Sequence, residues 1–261
     1  MKPLLGISGL RVRYRSGVSE VEALRGIDLS LGAGERVAVI GESGSGKSSL
    51  ALAVAGLLPR EATGEGIIRW PGLAEPPRNG KDVGFVFQDP GGTLDPVMSV
   101  GAQVAEVAEV NLGLSRRRAV ALAVELFERV RLPGALLKSY PHQLSGGQRQ
   151  RVGIAAAIAA GPALLIADEP TSALDTIVQA EIVRLIDRLV RETGMALLIV
   201  SHDIALAATV ADRIVVLKDG AVVEAGETAE IVARPKADYT RALLAACLTL
   251  DGSAGVLEGR A

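Results

Sequence analysis

The segment GESGSGKS, residues 41 to 48, constrains the fold more than any other part of the chain. It follows an apolar run, 36 to 40, typical of a buried parallel strand, and it precedes leucines and alanines at helical spacing. Its fixed positions match G-x-x-x-x-G-K-S. Glycines there let consecutive backbone N–H groups surround phosphate oxygens, and a helix amino end adds positive potential. The segment predicts a phosphate-binding loop, because a plain flexible turn needs neither the lysine nor the serine at its end.

This loop implies specific contacts with a bound nucleotide such as ATP. Lys47 is expected to bridge the β- and γ-phosphates, and the Ser48 hydroxyl is expected to hold Mg²⁺. The predicted nucleotide-binding residues of the loop and the first helical turn are Gly41, Ser43, Gly44, Ser45, Gly46, Lys47, Ser48 and Ser49.

A second apolar strand, LLIADE at 164 to 169, ends in two carboxylates. In α/β proteins the carboxyl ends of strands are where ligands bind. Asp168 is predicted to hold Mg²⁺ through a water molecule, and Glu169 to polarise the water that attacks the γ-phosphate. A solvent-exposed acid at a strand end would be a sufficient explanation for either residue alone. It does not explain why two carboxylates occur there in a chain that also has a phosphate loop.

Strands and helices alternate along the rest of the chain, which predicts an α/β fold with a largely parallel sheet covered by helices on both faces. The first helix is expected to run through Leu58 and to stop at Pro59. Residues 61 to 82 are predicted as loop around a short strand at 67 to 68, and 83 to 88 as a strand. A short helix is expected at 204 to 211, and Asp219-Gly220 predicts a hairpin turn.

Composition and charge exclude several classes of protein. The chain has 261 residues, of which 49% are hydrophobic, so a sizeable core can form. Its 28 basic and 30 acidic residues give a net charge of −2, which offers no electrostatic reason to expect nucleic acid as a partner. Cys247 is the only cysteine, so no disulfide can form within the chain. The longest apolar stretch, 152 to 167, is broken by Gly161-Pro162 and is shorter than the roughly 20 residues that span a bilayer. Because no signal sequence is apparent, we expect a cytoplasmic protein.

Six motifs, found in the expected order along the chain, identify the family that the chain resembles. LSGGQRQR at 144 to 151 resembles the signature sequence of ATP-binding cassette (ABC) ATPases. The phosphate loop, LLIADE, FQDP with Gln88, SALD at 172 to 175 and VSHD with His202 match further parts of that pattern. The resemblance covers nearly the whole chain. It implies a P-loop NTPase (RecA-like) core with a parallel sheet, an antiparallel β subdomain, and a helical subdomain that carries the signature.

The resemblance also implies boundaries and roles. The ATPase domain would cover 1 to 230, with the helical subdomain at about 99 to 160, and a helical tail would cover 231 to 261 and loosen after Asp251. Gln88 and His202 would join Glu169 as catalytic residues, and Gln88 would also contact Mg²⁺ and nucleotide. Tyr14 would stack on adenine, although the alternation of residues 10 to 14 also makes it an ordinary inward strand residue.

In this family ATP lies between the phosphate loop of one copy and the signature of another. The signature contacts would come from Ser145, Gly146, Gly147 and Gln148, and Asp175 would reach across the pair. Ser145 is typical of an N-cap before a helix that begins near Gln148, whose amino end suits an anion. His142 is expected to face solvent and has no assigned role.

Two segments resemble the peptide and nickel importers within the family. FQDPGGTLDPVMSVGAQV at 87 to 104 is similar to the stretch that receives a permease helix, and ADYTRALLAA at 237 to 246 is similar to their carboxyl-terminal tail. The resemblance implies an ATPase subunit, in a homodimer or heterodimer, on the cytoplasmic face of the membrane. Its partners would be separate permease subunits and, indirectly, a solute-binding protein. A soluble cassette ATPase outside transport, such as a cluster-assembly protein, stays open as the alternative.

Overall fold

The structure is a computed structural model that describes residues 2–16, 19–172 and 174–251. Ala173 of the SALD motif and the predicted loose segment after Asp251 lie outside these ranges. The strands are β1 (Leu5–Ser16), β2 (Ser19–Leu31), β3 (Arg36–Ile40), β4 (Ala62–Arg69), β5 (Val83–Val86), β6 (Leu164–Asp168), β7 (Ala196–Ser201), β8 (Arg213–Lys218) and β9 (Ala221–Glu227). The helices are α1 (Lys47–Ala55), α2 (Pro90–Thr93), α3 (Val100–Leu112), α4 (Arg116–Arg129), α5 (Gly146–Ile158), α6 (Thr176–Thr193), α7 (Ile204–Ala208), α8 (Thr228–Ala233) and α9 (Asp238–Asp251).

Two sheets form the framework. A six-stranded sheet has the order β5-β6-β7-β3-β8-β9, and all of its pairs are parallel except the β8–β9 hairpin. A three-stranded antiparallel sheet has the order β2-β1-β4. The larger sheet places the ends of β3, β6 and β7 side by side at one edge, so the loops that follow them lie close together.

Alternate residues of the central strands face two different cores. Ala38 and Ile40 of β3 pack into the cluster formed with the helices of residues 100 to 232, whereas Val37 and Val39 pack into a cluster with α1 and the antiparallel sheet. Helices therefore lie on both faces of the larger sheet, as the sequence predicts, but on the α1 face the antiparallel sheet completes the cover. There the apolar residues of β1 and β2 cover the sheet beside α1 and exclude water as a helix layer would.

Helix α1 ends earlier than the sequence predicts. Gly56 adopts a left-handed conformation with φ of 65°, and the N–H of Leu57 donates to Leu52 O at 2.8 Å. This is the usual closure of a helix by a glycine, and it satisfies the last carbonyls three residues before Pro59.

Strand β4 is longer than the short strand predicted at 67 to 68, because seven of its eight residues pair with β1. Glycines tolerate the close backbone approach there, where a Cβ on Gly66 would lie 2.7 Å from Gly9 O. Strand β5 ends at Val86 and α7 ends at Ala208, both short of their predicted limits. After α7 the Thr209 hydroxyl donates to Leu206 O, a local bond that competes with continuation of the helix.

The segment from 99 to 160 holds α3, α4, α5 and two 3₁₀ turns, Gly134–Lys138 and Pro141–Gln143. The Asp219-Gly220 hairpin is confirmed, and both turn residues have positive φ, 48° and 78°, as its tight geometry requires. In the described residues, no helix is long and apolar enough to cross a bilayer.

We predict that Phe127→Ala lowers the free energy of unfolding by about 3 to 5 kcal/mol, because Phe127 is fully buried in the helical segment and its removal leaves a cavity. Val120→Ala on the same helix is the control, since Val120 is 42% exposed. Urea unfolding of both variants measures the difference. Equal losses would contradict the packing described.

Candidate functional site

Gly46 shapes the phosphate loop at the amino end of α1. It is the N-cap of the helix, with φ of 100°, and it supplies no side-chain cap. A Cβ at this position would lie 2.4 Å from Ala23 O and 2.8 Å from Leu24 Cδ2. At the start of the loop, a Cβ on Gly41 would lie 2.2 Å from Leu217 O. The loop is therefore wedged between β2 and β8, and only glycine fits at either place.

The loop has the features of an anion site. The first N–H groups of α1 have no partner within the helix, and Gly46 leaves them uncapped. The buried Ser45 hydroxyl has no hydrogen-bond partner in the described part of the chain. A Cβ on Gly44 would meet nothing within 4 Å, so the loop is open at that point. These groups fit a phosphate, which would accept hydrogen bonds from the unpaired donors.

Lys47 extends into a buried position between the loop and the strand ends. Its side chain is 4% exposed, and Nζ donates to Glu42 O at 2.8 Å and lies 3.8 Å from Glu169 Oε1. Burial lowers the pKa of Lys47, while the neighbouring Glu169 and Asp168 carboxylates oppose that shift. The ammonium group is thus held at the loop by one hydrogen bond to a carbonyl and by a nearby carboxylate.

Ser48 and Asp168 meet directly. The Ser48 hydroxyl donates to Asp168 Oδ1 at 2.9 Å. Burial raises the pKa of the Asp168 carboxyl, and the Ser48 hydrogen bond acts in the opposite direction. A hydroxyl, a carboxylate and the amide oxygen of Gln88 are the hard oxygen donors that suit Mg²⁺ together with phosphate oxygens. Among the described residues, no group of three or more His, Cys, Asp and Glu side chains forms a metal cluster by itself.

Glu169 is the point at which the predicted catalytic residues converge. Gln88 Nε2 donates to Glu169 Oε2 at 3.2 Å, and His202 Nδ1 lies 3.6 Å from the same oxygen. Glu169 also has a positive φ of 41°, which is rare for a residue with a side chain, and its N–H donates to Val200 O. Such a backbone costs about 1 to 3 kcal/mol and is characteristic of functional sites.

The signature segment opens helix α5 with a complete capping box. Ser145 Oγ accepts from the Gln148 N–H at 3.3 Å, and Gln148 Oε1 accepts from the Ser145 N–H at 2.9 Å. The helix begins at Gly146, two residues before the predicted start, because the capping box closes the first turn. A Cβ on Gly147 would lie 2.8 Å from Val178 Cγ1 on α6, so this glycine allows close packing.

The signature and the phosphate loop are separate within one chain. In the described residues, no hydrogen bond or ion pair joins 144–151 to 41–49. Asp175, the predicted cross-dimer residue, caps α6 and accepts from the Val178 N–H at 3.1 Å. Tyr14 lies beside the first turn of α1, where its hydroxyl donates to Ser49 Oγ. His142 is exposed, as predicted, and stacks on Tyr140.

Two contacts to the phosphate loop were not predicted from the sequence. The Tyr239 hydroxyl accepts from the Glu42 N–H at 3.0 Å, and the Gly220 N–H donates to Ser45 O at 3.1 Å. Both residues are far from the loop in the chain. Neither belongs to a pattern of phosphate binding, so only the folded structure reveals them.

A mainly parallel sheet with a phosphate loop after β3, and carboxylates at the end of β6, defines the chain as a phosphate-loop ATPase. The ABC transporter family model matches residues 24–172, which is more than half of the chain. The chain therefore belongs to the ABC transporter family.

Curated relatives and solved structures agree with this assignment. A putative peptide import ATP-binding protein of Brucella melitensis is 43% identical over 93% of this chain and 77% of its own length. The glutathione import ATP-binding protein GsiA of Salmonella typhimurium is 40% identical over 97% of this chain and 44% of its own length. The dimeric ATP-binding cassette MJ0796, solved in a post-hydrolysis state bound to ADP and Pi, has a TM-score of 0.76 and 30% identity, over 86% of this chain and 98% of that one. The structure of cbiO1 from Clostridium perfringens, part of the ABC transporter complex cbiONQ, has a TM-score of 0.74 and 30% identity, over 90% of this chain and 92% of that one.

We predict that Gly46→Ala destabilises the chain by about 2 to 5 kcal/mol, since left-handed strain and overpacking against Ala23 O add together. Gly56→Ala, at the other end of α1, is the matched control. Its Cβ would meet nothing within 4 Å, so only the strain of about 1 to 2 kcal/mol applies. Thermal unfolding without nucleotide distinguishes the two, and equal losses would contradict the wedged loop.

Proposed function

We propose that the chain is the ATP-hydrolysing subunit of an importer for peptides or a related small solute. It works in a pair of ATPase subunits with separate permease chains, on the cytoplasmic face of the membrane. The observation that carries the proposal is the convergence of Lys47, Gln88 and His202 on Glu169 beside an uncapped phosphate loop. The import ATP-binding proteins among its relatives support the choice of importer. Their names give nickel transport no specific support, and they do not favour a cassette ATPase outside transport.

Each residue of the proposed site has its own role in ATP hydrolysis. The N–H groups of 44 to 48 and Lys47 bind the β- and γ-phosphates of ATP and stabilise the charge that develops as the bond to the γ-phosphorus breaks. Glu169 accepts a proton from the attacking water, whose oxygen forms the new bond to phosphorus. His202 and Gln88 orient that water, and ADP and inorganic phosphate are the products. Tyr14 stacks on the adenine ring.

Ser48, Asp168 and Gln88 would hold Mg²⁺ between the loop and the strand ends, the last two by way of water or an amide oxygen. The ion would neutralise phosphate charge and orient the γ-phosphate for in-line attack. Asp168 keeps Ser48 in place for this role, since the two already share a hydrogen bond of 2.9 Å.

A second ATPase subunit completes the site. Ser145, Gly146, Gly147 and Gln148 present the amino end of α5, and in the part of the chain that the structure describes no hydrogen bond or ion pair joins them to the phosphate loop. We propose that these four residues bind the γ-phosphate of ATP held by the partner copy, with Asp175 reaching across. The dimeric cassettes among the structural relatives support this pairing. ATP then closes the pair and hydrolysis lets it reopen.

The segment from 87 to 97, which includes Gln88, offers a surface for the permease. Phe87 is 38% exposed and Val97 is 83% exposed, and both are apolar. Because Gln88 in the same segment contacts Glu169, a change at the nucleotide site would be passed to a permease helix that binds here. A solute-binding protein would deliver the solute to the permease from the opposite side.

We predict that Glu169→Gln retains ATP binding but lowers the hydrolysis rate by about 100-fold or more, because the amide cannot accept the proton. With ATP and Mg²⁺ this variant is expected to elute from gel filtration as a closed dimer. Lys47→Ala is the control: it removes the phosphate contact, so it should bind ATP poorly and remain a monomer. A Glu169→Gln variant that turns over normally would refute the catalytic role, and one that stays monomeric with ATP bound would refute the sandwich.

A second prediction tests the importer assignment. Val97→Glu should lower co-purification of the permease chains from detergent extracts at least several-fold, since it puts a charge into an apolar contact. ATP affinity of the isolated subunit should stay unchanged. Val21→Glu serves as the control, because Val21 is 62% exposed on the antiparallel sheet. Undiminished permease recovery with Val97→Glu would argue against this docking surface.

A further inference from the structure

Helix α9 reaches the phosphate loop although it lies near the other end of the chain. The hydroxyl of Tyr239, in its first turn, accepts a hydrogen bond of 3.0 Å from the backbone N–H of Glu42, 197 positions away in sequence. The Glu42 side chain is exposed, so the contact depends on the loop backbone and not on the glutamate carboxylate. This is a direct link between a carboxyl-terminal helix and the loop that we propose binds ATP.

The link continues to the phosphate-binding lysine. Lys47 Nζ donates to the carbonyl of the same residue, Glu42, at 2.8 Å. Tyr239 therefore holds the N–H of Glu42 while Lys47 holds its C=O. A second support acts three residues later, where the Gly220 N–H of the β8–β9 turn donates to Ser45 O. Hydrogen bonds from distant parts of the chain therefore hold the loop backbone at two residues, Glu42 and Ser45.

The Tyr239 ring is itself fixed from several sides. Lys218 Nζ lies 4.8 Å from the ring centroid, a cation–π contact, and the ring packs against the helical core with Leu243 and Leu244. Glu224 accepts from the N–H groups of Lys236 and Ala237 and so anchors the segment that leads into α9. Burial raises the pKa of Tyr239, so its hydroxyl stays protonated at neutral pH.

Helix α9 also contacts α7, which begins two residues after His202. The same helix thus touches the element after the proposed water-orienting histidine and the loop before the proposed phosphate-binding lysine. No described residue outside α9 makes a side-chain hydrogen bond to the Glu42 N–H. Loss of the Tyr239 hydroxyl would leave that N–H without a side-chain partner among the described residues.

We propose that Tyr239 is a positioning residue of the nucleotide site. It orders the phosphate loop through the Glu42 backbone. ATP binding then carries less of the entropic cost of ordering the loop, and the affinity for ATP is higher. The inference rests on the proposed ATP site and adds to it a residue that never touches the nucleotide. Its effect is on ATP affinity, because the reacting atoms and Glu169 are untouched.

The test compares Tyr239→Phe with Tyr140→Phe in the full-length chain. Tyr239→Phe removes one hydroxyl and keeps the ring, whereas Tyr140 is 40% exposed, stacks on His142 and makes no hydrogen bond to the loop among the described residues. Calorimetric titration with a non-hydrolysable ATP analogue and Mg²⁺ gives Kd, and steady-state ATPase assays give KM and kcat. For Tyr239→Phe we expect Kd and KM to rise about threefold to tenfold, the range for one hydrogen bond, with kcat within about twofold of the original. Tyr140→Phe should change none of them.

The alternatives give different results. If Tyr239 only stabilises the fold, Tyr239→Phe lowers Tm while Kd stays unchanged, and the inference is overturned. A fall in kcat at constant KM would also overturn it, because it would place the effect on chemistry. If the unaltered chain does not bind the analogue, the proposed ATP site is wrong, and the inference about Tyr239 that rests on it is rejected too. Binding by the unaltered chain together with an unchanged Kd in Tyr239→Phe would reject the positioning role alone.

Discussion

The amino end of α1 is the constraint on which the site depends. Its first N–H groups have no intrahelical partner, and Gly46 provides no cap because only a glycine fits between Ala23 O and the helix. A helix end left in this state attracts an anion. The sheet brings the carboxylates of β6 to the same edge, where they would repel a phosphate unless cations lie between them. Lys47 supplies one positive charge there. The oxygen donors of Ser48 and Asp168 suit a second cation, Mg²⁺.

Glu169 shows how the fold arranges chemistry at a strand end. Its positive φ turns the chain sharply after β6, and this directs the carboxylate toward Lys47, Gln88 and His202, which come from three different segments. The neighbouring Asp168 stays in the strand and faces Ser48. The backbone thereby turns two adjacent carboxylates in different directions, which suits the separate roles proposed for them, Asp168 toward Mg²⁺ and Glu169 toward the attacking water.

The sequence predicted those parts of the site that depend on local spacing. The phosphate loop, the LLIADE strand and the Asp219-Gly220 turn each carry their conformational signal within a few residues, so the order of elements followed from them. Long-range contacts carry no such signal. Nothing in the sequence around Tyr239 or Gly220 indicated a contact with the loop. Only 67 to 68 of β4 was predicted as strand, because the pairing with β1 that extends it is long-range. The early end of α1 reflects a competition between helix propensity and the Gly56 cap that spacing alone does not decide.

In the site that we propose, main-chain N–H groups of two protomers bind one ATP molecule together. This proposal is tested most directly by a structure of the Glu169→Gln variant crystallised with ATP and Mg²⁺, together with its partner ATPase if that is a different chain. We expect the γ-phosphate to lie within hydrogen-bonding distance of the loop at Gly46 and Lys47, and of Ser145 or Gly147 from the opposing subunit. An ATP molecule held by one chain only, with the opposing signature out of contact, would contradict it.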